Sequence, residues 1–256
     1  MSKLKIKAGG MSFEATGEDE FISRERETFF TFVGQCRDMP VKEGKDSGSC
    51  THTKKSWVEI AEDIKAGKAL YIGDTVRCAL TDGTEADFVV TDNTDEYVRF
   101  ESRECIGGYV RWNNGYTNEG GYPESNVRKY VDEKIWNLLP EDLRSVISDT
   151  ERKWKDKDGN EATYTTKLFL PAESEISKFD EYSLCGDGGL YEPLEWYKSR
   201  RSRDRYDEDD DTCDWWLASV SHGSSMHICF CNADGCGEAA ASDECNVSVC
   251  FQISKS

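Results

Sequence analysis

Apolar and polar positions change period several times along the chain, and each change predicts an element. In LKIKAGGMSFEAT (3–15) they alternate on both sides of Gly9-Gly10, which predicts a small hairpin. In the next stretch Phe21, Ile22, Phe29, Phe30 and Val33 recur at helical spacing with charges between them, so a helix ending near Gly34 is expected. Residues 41–55, VKEGKDSGSCTHTKK, carry Gly and Ser without any period and predict a linker. The expected division is a hairpin–helix unit over 1–40, a linker over 41–56 and a main domain over 57–256.

Ser56 and Glu59 stand at capping-box spacing before an amphipathic run, WVEIAEDIKAG, that predicts a helix. Strands are expected at 69–72, 75–80, 86–91 and 97–101, with turns at Asp82-Gly83 and Asp92-Asn93. Two helices follow. Pro123 opens the first, Val127, Tyr130, Val131 and Ile135 form its buried stripe, and Pro140 separates it from the second. Asp158-Gly159 marks a hairpin tip, and 171–179 reads as a short helix. Near the C-terminus WWLASV (215–220) and VSVCFQI (247–253) read as strands. Trp215, Leu217, Val249, Phe251 and Ile253 should be buried there, alternating with more exposed neighbours. The fold class expected is α+β, with mostly antiparallel strands and two main helices.

The segment between those two strands, 221–246, contains no Lys, Arg, Trp or Tyr. It has too few large apolar residues to build a core, so its side chains are expected to face solvent on one shared face. Its histidines and cysteines lack a Cys-x₂-Cys pair, and no metal site is expected. The acidic run within 198–211 is contiguous, unlike the alternating ligands of a calcium loop, and reads as a solvated surface loop. No phosphate loop or dinucleotide glycine pattern occurs, and neither a cofactor nor a catalytic residue is assigned.

The whole chain of 256 residues carries a net charge of -18, which repels phosphate backbones and argues against general nucleic-acid binding. It contains no apolar run long enough for a membrane helix, and the first ten residues lack the apolar stretch of a signal peptide. A cytoplasmic or phage-associated protein is expected, its eleven cysteines mostly free thiols that pack as small apolar residues.

The WWLAS strand, the following stretch with spaced glycines and the closing C-terminal strand resemble a C-type-lectin fold. IGDTVRCALTDGTEADFVV, WNNGYTNEGGYPESNVRKYV, NLLPEDLRSVI and KLFLPAESEI resemble the bacterial and phage domains of that fold, some of which are variable proteins of diversity-generating retroelements. The resemblance covers about 57–256 and implies a receptor-type protein that displays a diversified C-terminal surface to an unknown protein or other macromolecular ligand. It implies diversification through mutation of template adenines, most often in Asn codons. Ser221, His222, Ser224, His227, Phe230, Asn232, Ala233, Asp234, Cys236, Ala239 and Ala240 fit the residues such codons can yield, and are the candidate binding positions. Met226, Glu238 and Glu244 do not fit. The closing strand departs from the Gly-Val/Phe-Arg-Pro ending of related domains. Two alternatives stand beside this reading: an oxidase of the formylglycine-generating type or other Cys/His enzyme, although no matching cysteine pair is found, and a phage structural protein whose N-terminal unit drives homo-oligomerisation.

Overall fold

The computed structural model describes residues 2–8, 11–17, 55–177, 190–207, 209 and 211–256. The chain divides into two units, Met1–Gly48 and Ser49–Ser256. In the first, β1 (Ser2–Ala8) and β2 (Met11–Gly17) pair antiparallel, from Ser2 opposite Gly17 to Ala8 opposite Met11. This is the hairpin that the alternation predicts. The expected helix over 21–33 and most of the expected linker lie outside the described residues.

The second unit is α+β with mostly antiparallel pairing. Helix α1 (Trp57–Lys65) begins at the capping box: Ser56 Oγ accepts from Glu59 N at 3.3 Å, and Ser56 N donates to Glu59 Oε2 at 2.8 Å. Trp57, Ile60, Ala61 and Ile64 recur every three or four residues, so the helix buries one stripe. That stripe packs on a four-stranded sheet of order β13-β5-β4-β3, built from β3 (Thr75–Ala79), β4 (Glu85–Asn93), β5 (Tyr97–Ser102) and β13 (Cys250–Ser254). Trp57 meets Phe88, Phe100 and Phe251 edge-on, at centroid distances of 5.9, 5.4 and 5.7 Å.

Short elements fill the rest: β6 (Val110–Arg111), α2 (Gly121–Glu124), α3 (Asn126–Tyr130), a π-helical turn (Val131–Ile135), α4 (Trp136–Leu138), α5 (Glu141–Val146), the hairpin β7 (Thr150–Lys155) and β8 (Glu161–Thr166), and α6 (Glu173–Ile176). A second, three-stranded sheet of order β11-β10-β9 contains β9 (Trp215–Val220), β10 (His227–Cys231) and β11 (Cys236–Ala240). Finally, β12 (Glu244–Cys245) pairs with β6.

Several expectations are corrected. Residues 69–72 form no strand: Asp74 Oδ2 accepts from Tyr71 N at 2.8 Å and Asp74 N donates to Tyr71 O at 2.9 Å, which closes a turn. A bulge between Val90 and Asp92 carries β4 through Asn93 and moves the turn to Thr94, whose N donates to Tyr97 O at 3.0 Å. The helix expected from Pro123 is interrupted at Ser125, which is extended and caps α3 through Arg128 N. The last strand starts at Cys250 rather than Val247, because Val247 and Val249 spend their carbonyls on Ile106 N and Ser102 N.

The five core residues expected at the C-terminal strands are all buried. The expected alternation holds from Phe251 to Ser254, where Gln252 and Ser254 are half-buried, but not at Ser248 and Cys250, which are buried, and it fails in β9, where all six residues are buried. Trp216, Ala218 and Val220 enter the main core, whereas Trp215 and Leu217 join a second cluster with Ile176, Tyr197, Cys229 and Cys231.

Beside that second cluster lies a buried ionic layer. Glu175 accepts from Arg99 at 2.5 Å and from Arg152 at 2.7 and 2.9 Å. Glu101 accepts from Tyr197 Oη at 2.5 and 2.6 Å and from Arg205. The guanidiniums also lie over Phe169 and Trp215. Burial opposes ionisation of Glu175, yet Arg152 and Arg99 hold its carboxyl down at about 2. Arg205 and Ser202, from the run expected to be a solvated loop, are buried here because Glu101 and Ser248 recruit the guanidinium inward.

Candidate functional site

The candidate segment is built outward from β9. That strand is fixed on both sides. Trp216 Nε1 donates to Val110 O at 2.8 Å, Trp215 Nε1 donates to Arg203 O at 3.2 Å, and Ala218 N donates to Pro171 O at 2.8 Å. The next strand, β10, is partly covered: Ile228, Cys229 and Cys231 are buried, while His227 and Phe230 are half-buried. In β11 no residue is buried.

The β9–β10 turn owes its form to a few side chains. Ser224 Oγ accepts from Met226 N and His227 N, both at 3.2 Å, and lies 2.8 Å from His227 Nδ1. Asn118 Nδ2 donates to Ser224 O at 2.7 Å and to His227 O at 2.9 Å, which ties the loop of Asn113–Gly120 to this turn. Tyr116 and Met226 stand exposed on these two linked loops. At the other end of β10, Asn232 Oδ1 accepts from Asp234 N at 2.9 Å and Gly235 N at 3.2 Å, and Asn232 Nδ2 donates to Asp214 Oδ1 at 2.9 Å.

These bonds place the eleven candidate residues in four settings. His222 and Ser224 lie in the β9–β10 turn and His227 at its end; Asn232, Ala233 and Asp234 form the β10–β11 tip; Cys236, Ala239 and Ala240 lie on β11. Phe230 turns inward over β11: a Cβ added at Gly237 would come within 2.7 Å of its ring, so the absence of a side chain there leaves room for the end of the ring. Ser221 is buried and hydrogen-bonds Glu238. The expectation of one shared solvent face is therefore corrected. His227, Cys236 and Ala240 point to one side of the sheet, Phe230 and Ala239 to the other, and the two loops sit at opposite ends of β10. The surface is a rim around the β10–β11 hairpin, not a flat array.

Two grooves lie elsewhere and include none of these positions. One, of about 600 Å³, is lined by Glu104, Cys105, Tyr109, Lys134, Asp207 and Asn246 among others. The other, of about 490 Å³, includes Arg103, Trp196, Lys198 and Asp204. Among the described residues, no three His, Cys, Asp or Glu side chains are arranged to hold a metal ion. No helix among them is long and apolar enough to cross a membrane.

The buried ionic layer that supports β9 escaped the sequence reading because its charges come from positions far apart in the chain. The one local sign is the alternation in YVRFES, which puts Arg99 and Glu101 on one face of β5.

No curated protein and no solved structure matches the chain. A family model described as a domain of unknown function, DUF6273, matches residues 88–255. That match runs from β4 to β13, includes the whole candidate segment and covers more than half of the chain, which therefore belongs to the DUF6273 family.

Proposed function

We propose that the Ser49–Ser256 unit is a ligand-binding domain of C-type-lectin-like fold whose rim at 222–240 can change in sequence without loss of the fold. The observation that carries this reading is the burial gradient across one sheet: complete in β9, partial in β10, absent in β11. Such a sheet anchors one strand and leaves the opposite one to carry varied side chains. The rim offers His222 beside the exposed Tyr116 and Met226 at one end of β10, and Asp234 at the other end, a mixture suited to a protein surface. Ser221, Phe230, Asn232, Cys236 and Ala239 leave the variable set and join the support: Asn232 is spent on Asp214 and the hairpin tip, and Phe230, Ala239 and Cys236 pack against the two buried clusters.

An enzyme reading gains little from the same residues. The Ser224–His227 pair has the look of a nucleophile and base, but Ser224 Oγ already accepts two backbone N–H bonds and so serves as a turn cap.

The DNA around the gene tests the proposal. A near-repeat of the stretch that encodes 221–246, differing at adenines and lying beside a reverse-transcriptase gene, is expected. Flanks that contain neither would remove the diversification from the reading.

A further inference from the structure

Eight cysteines fall among the described residues; seven are unbonded, and Cys229 is disulfide-bonded. The expectation of mostly free thiols therefore meets a chain that already carries one oxidised cysteine in β10. Two of the unbonded sets are paired in space. Cys105 Sγ and Cys213 Sγ lie 3.2 Å apart although 108 positions separate them in sequence. Cys231 and Cys236 stand directly opposite each other at the tip of the β10–β11 hairpin.

The hairpin register favours a bond at that tip. Asn232 and Gly235 exchange both backbone hydrogen bonds, at 2.9 and 3.2 Å. The next pair out, Cys231 and Cys236, therefore occupies a non-hydrogen-bonded position, where Cα atoms are about 4.5 Å apart and side chains are closest. That spacing falls inside the range that disulfide geometry accepts. The Cys236 thiol is raised by its hydrogen bond to Cys231 and by burial, in keeping with that register. For Cys105 and Cys213, small side-chain rotations close 3.2 Å to the about 2.0 Å of a bond.

We infer that Cys105–Cys213 and Cys231–Cys236 are two further disulfides of the working protein, formed by exchange with an external protein or low-molecular-weight disulfide. In each, one cysteine sulfur attacks the external RSSR and releases RS⁻, and the second cysteine displaces the other RS⁻. The balance is two Cys-SH plus RSSR giving Cys-S–S-Cys plus two RSH. Access exists, since Cys105 lines the 600 Å³ groove and Cys236 is half-buried on the outer strand. The first bridge pins the segment that carries Arg205 to the end of β5, because Cys213 N donates to Arg205 O and Cys105 N donates to Tyr206 O. The second locks the Asn232–Gly235 loop at the rim.

The test is non-reducing peptide mapping of the full chain, held folded in glutathione redox buffer and then quenched with an alkylating agent. Expected are cross-linked peptides joining Cys105 to Cys213 and Cys231 to Cys236, with the intact mass falling by about 2 Da per bridge. Cys213→Ser should free Cys105 for alkylation and leave the Cys231–Cys236 link in place. Its melting temperature should fall below that of the oxidised parent, and reductant should narrow the gap. A folded, oxidised parent with both members of a pair alkylated would overturn that bridge. A link from Cys105 or Cys213 to Cys245, which lies nearby, would overturn the pairing.

Discussion

Strands β9 and β11 belong to one three-stranded sheet, yet every residue of β9 is buried and none of β11 is. Both are short and both contain small residues; what differs is what lies against them. Main-core side chains cover one face of β9, and the cluster of Tyr197, Ile176 and Cys229 covers the other. Strand β11 is the outer strand and carries Cys, Gly, Glu and two Ala, little of which needs shelter. A sheet can thus be rigid along one edge and permissive along the other, because burial rather than pairing sets the cost of substitution.

The contrast breaks most sharply at the support. Trp216→Ala empties a fully buried site and should cost roughly 3–5 kcal/mol, read by chemical denaturation. Glu175→Ala leaves Arg99 and Arg152 buried without their shared partner, and a loss of roughly 3–5 kcal/mol is expected by the same measurement. A melting temperature unchanged by either substitution would show that β9 is not the anchor.

Acid should act on the same support. The folded carboxyl of Glu175 sits at about 2, below its ordinary 4.5. Its contribution is therefore complete above pH 4.5 and is lost as pH falls toward 2. Stability measured along that window should drop in the parent and drop less in Glu175→Gln, relative to that variant's own neutral value. Equal slopes would remove Glu175 from the account.

At the boundary between support and rim, Gly237→Ala should cost about 1–3 kcal/mol, because the new Cβ meets the Phe230 ring. Truncating the ring in the same chain, Phe230→Leu, should recover part of that loss. On the rim itself Asp234→Ser or His222→Ser should change stability by under about 0.5 kcal/mol. A larger loss there would make these residues structural.

Much of this organisation was legible in the residues. The capping box at Ser56 and Glu59, the turn at Asp158-Gly159 and the alternation of Phe251 and Ile253 each follow from local chemistry. What was not legible depends on partners remote in sequence. Nothing within WWLASV states that both faces will be covered. Nothing within KSRRSRDRYDEDDD marks Arg205 as the guanidinium that Glu101, 104 positions earlier, draws inside. The same limit applied to the rim. Its small polar composition indicated exposure, but Ser221 bonds Glu238, Phe230 folds over Gly237, Asn232 holds the hairpin tip, and Cys236 and Ala239 pack against buried clusters, so these candidate positions belong to the support.

The most direct test of the central claim compares two displayed libraries of the full chain, sorted by resistance to protease. One randomises His222, His227, Asp234 and Ala240 on the rim; the other randomises Trp216, Ala218 and Val220 in β9. The account predicts that most rim variants keep the parent's resistance, that few β9 variants do, and that the folded rim library yields binders to an immobilised protein that the parent does not bind. Equal collapse of the two libraries, or a folded rim library from which no binder can be selected, would contradict it.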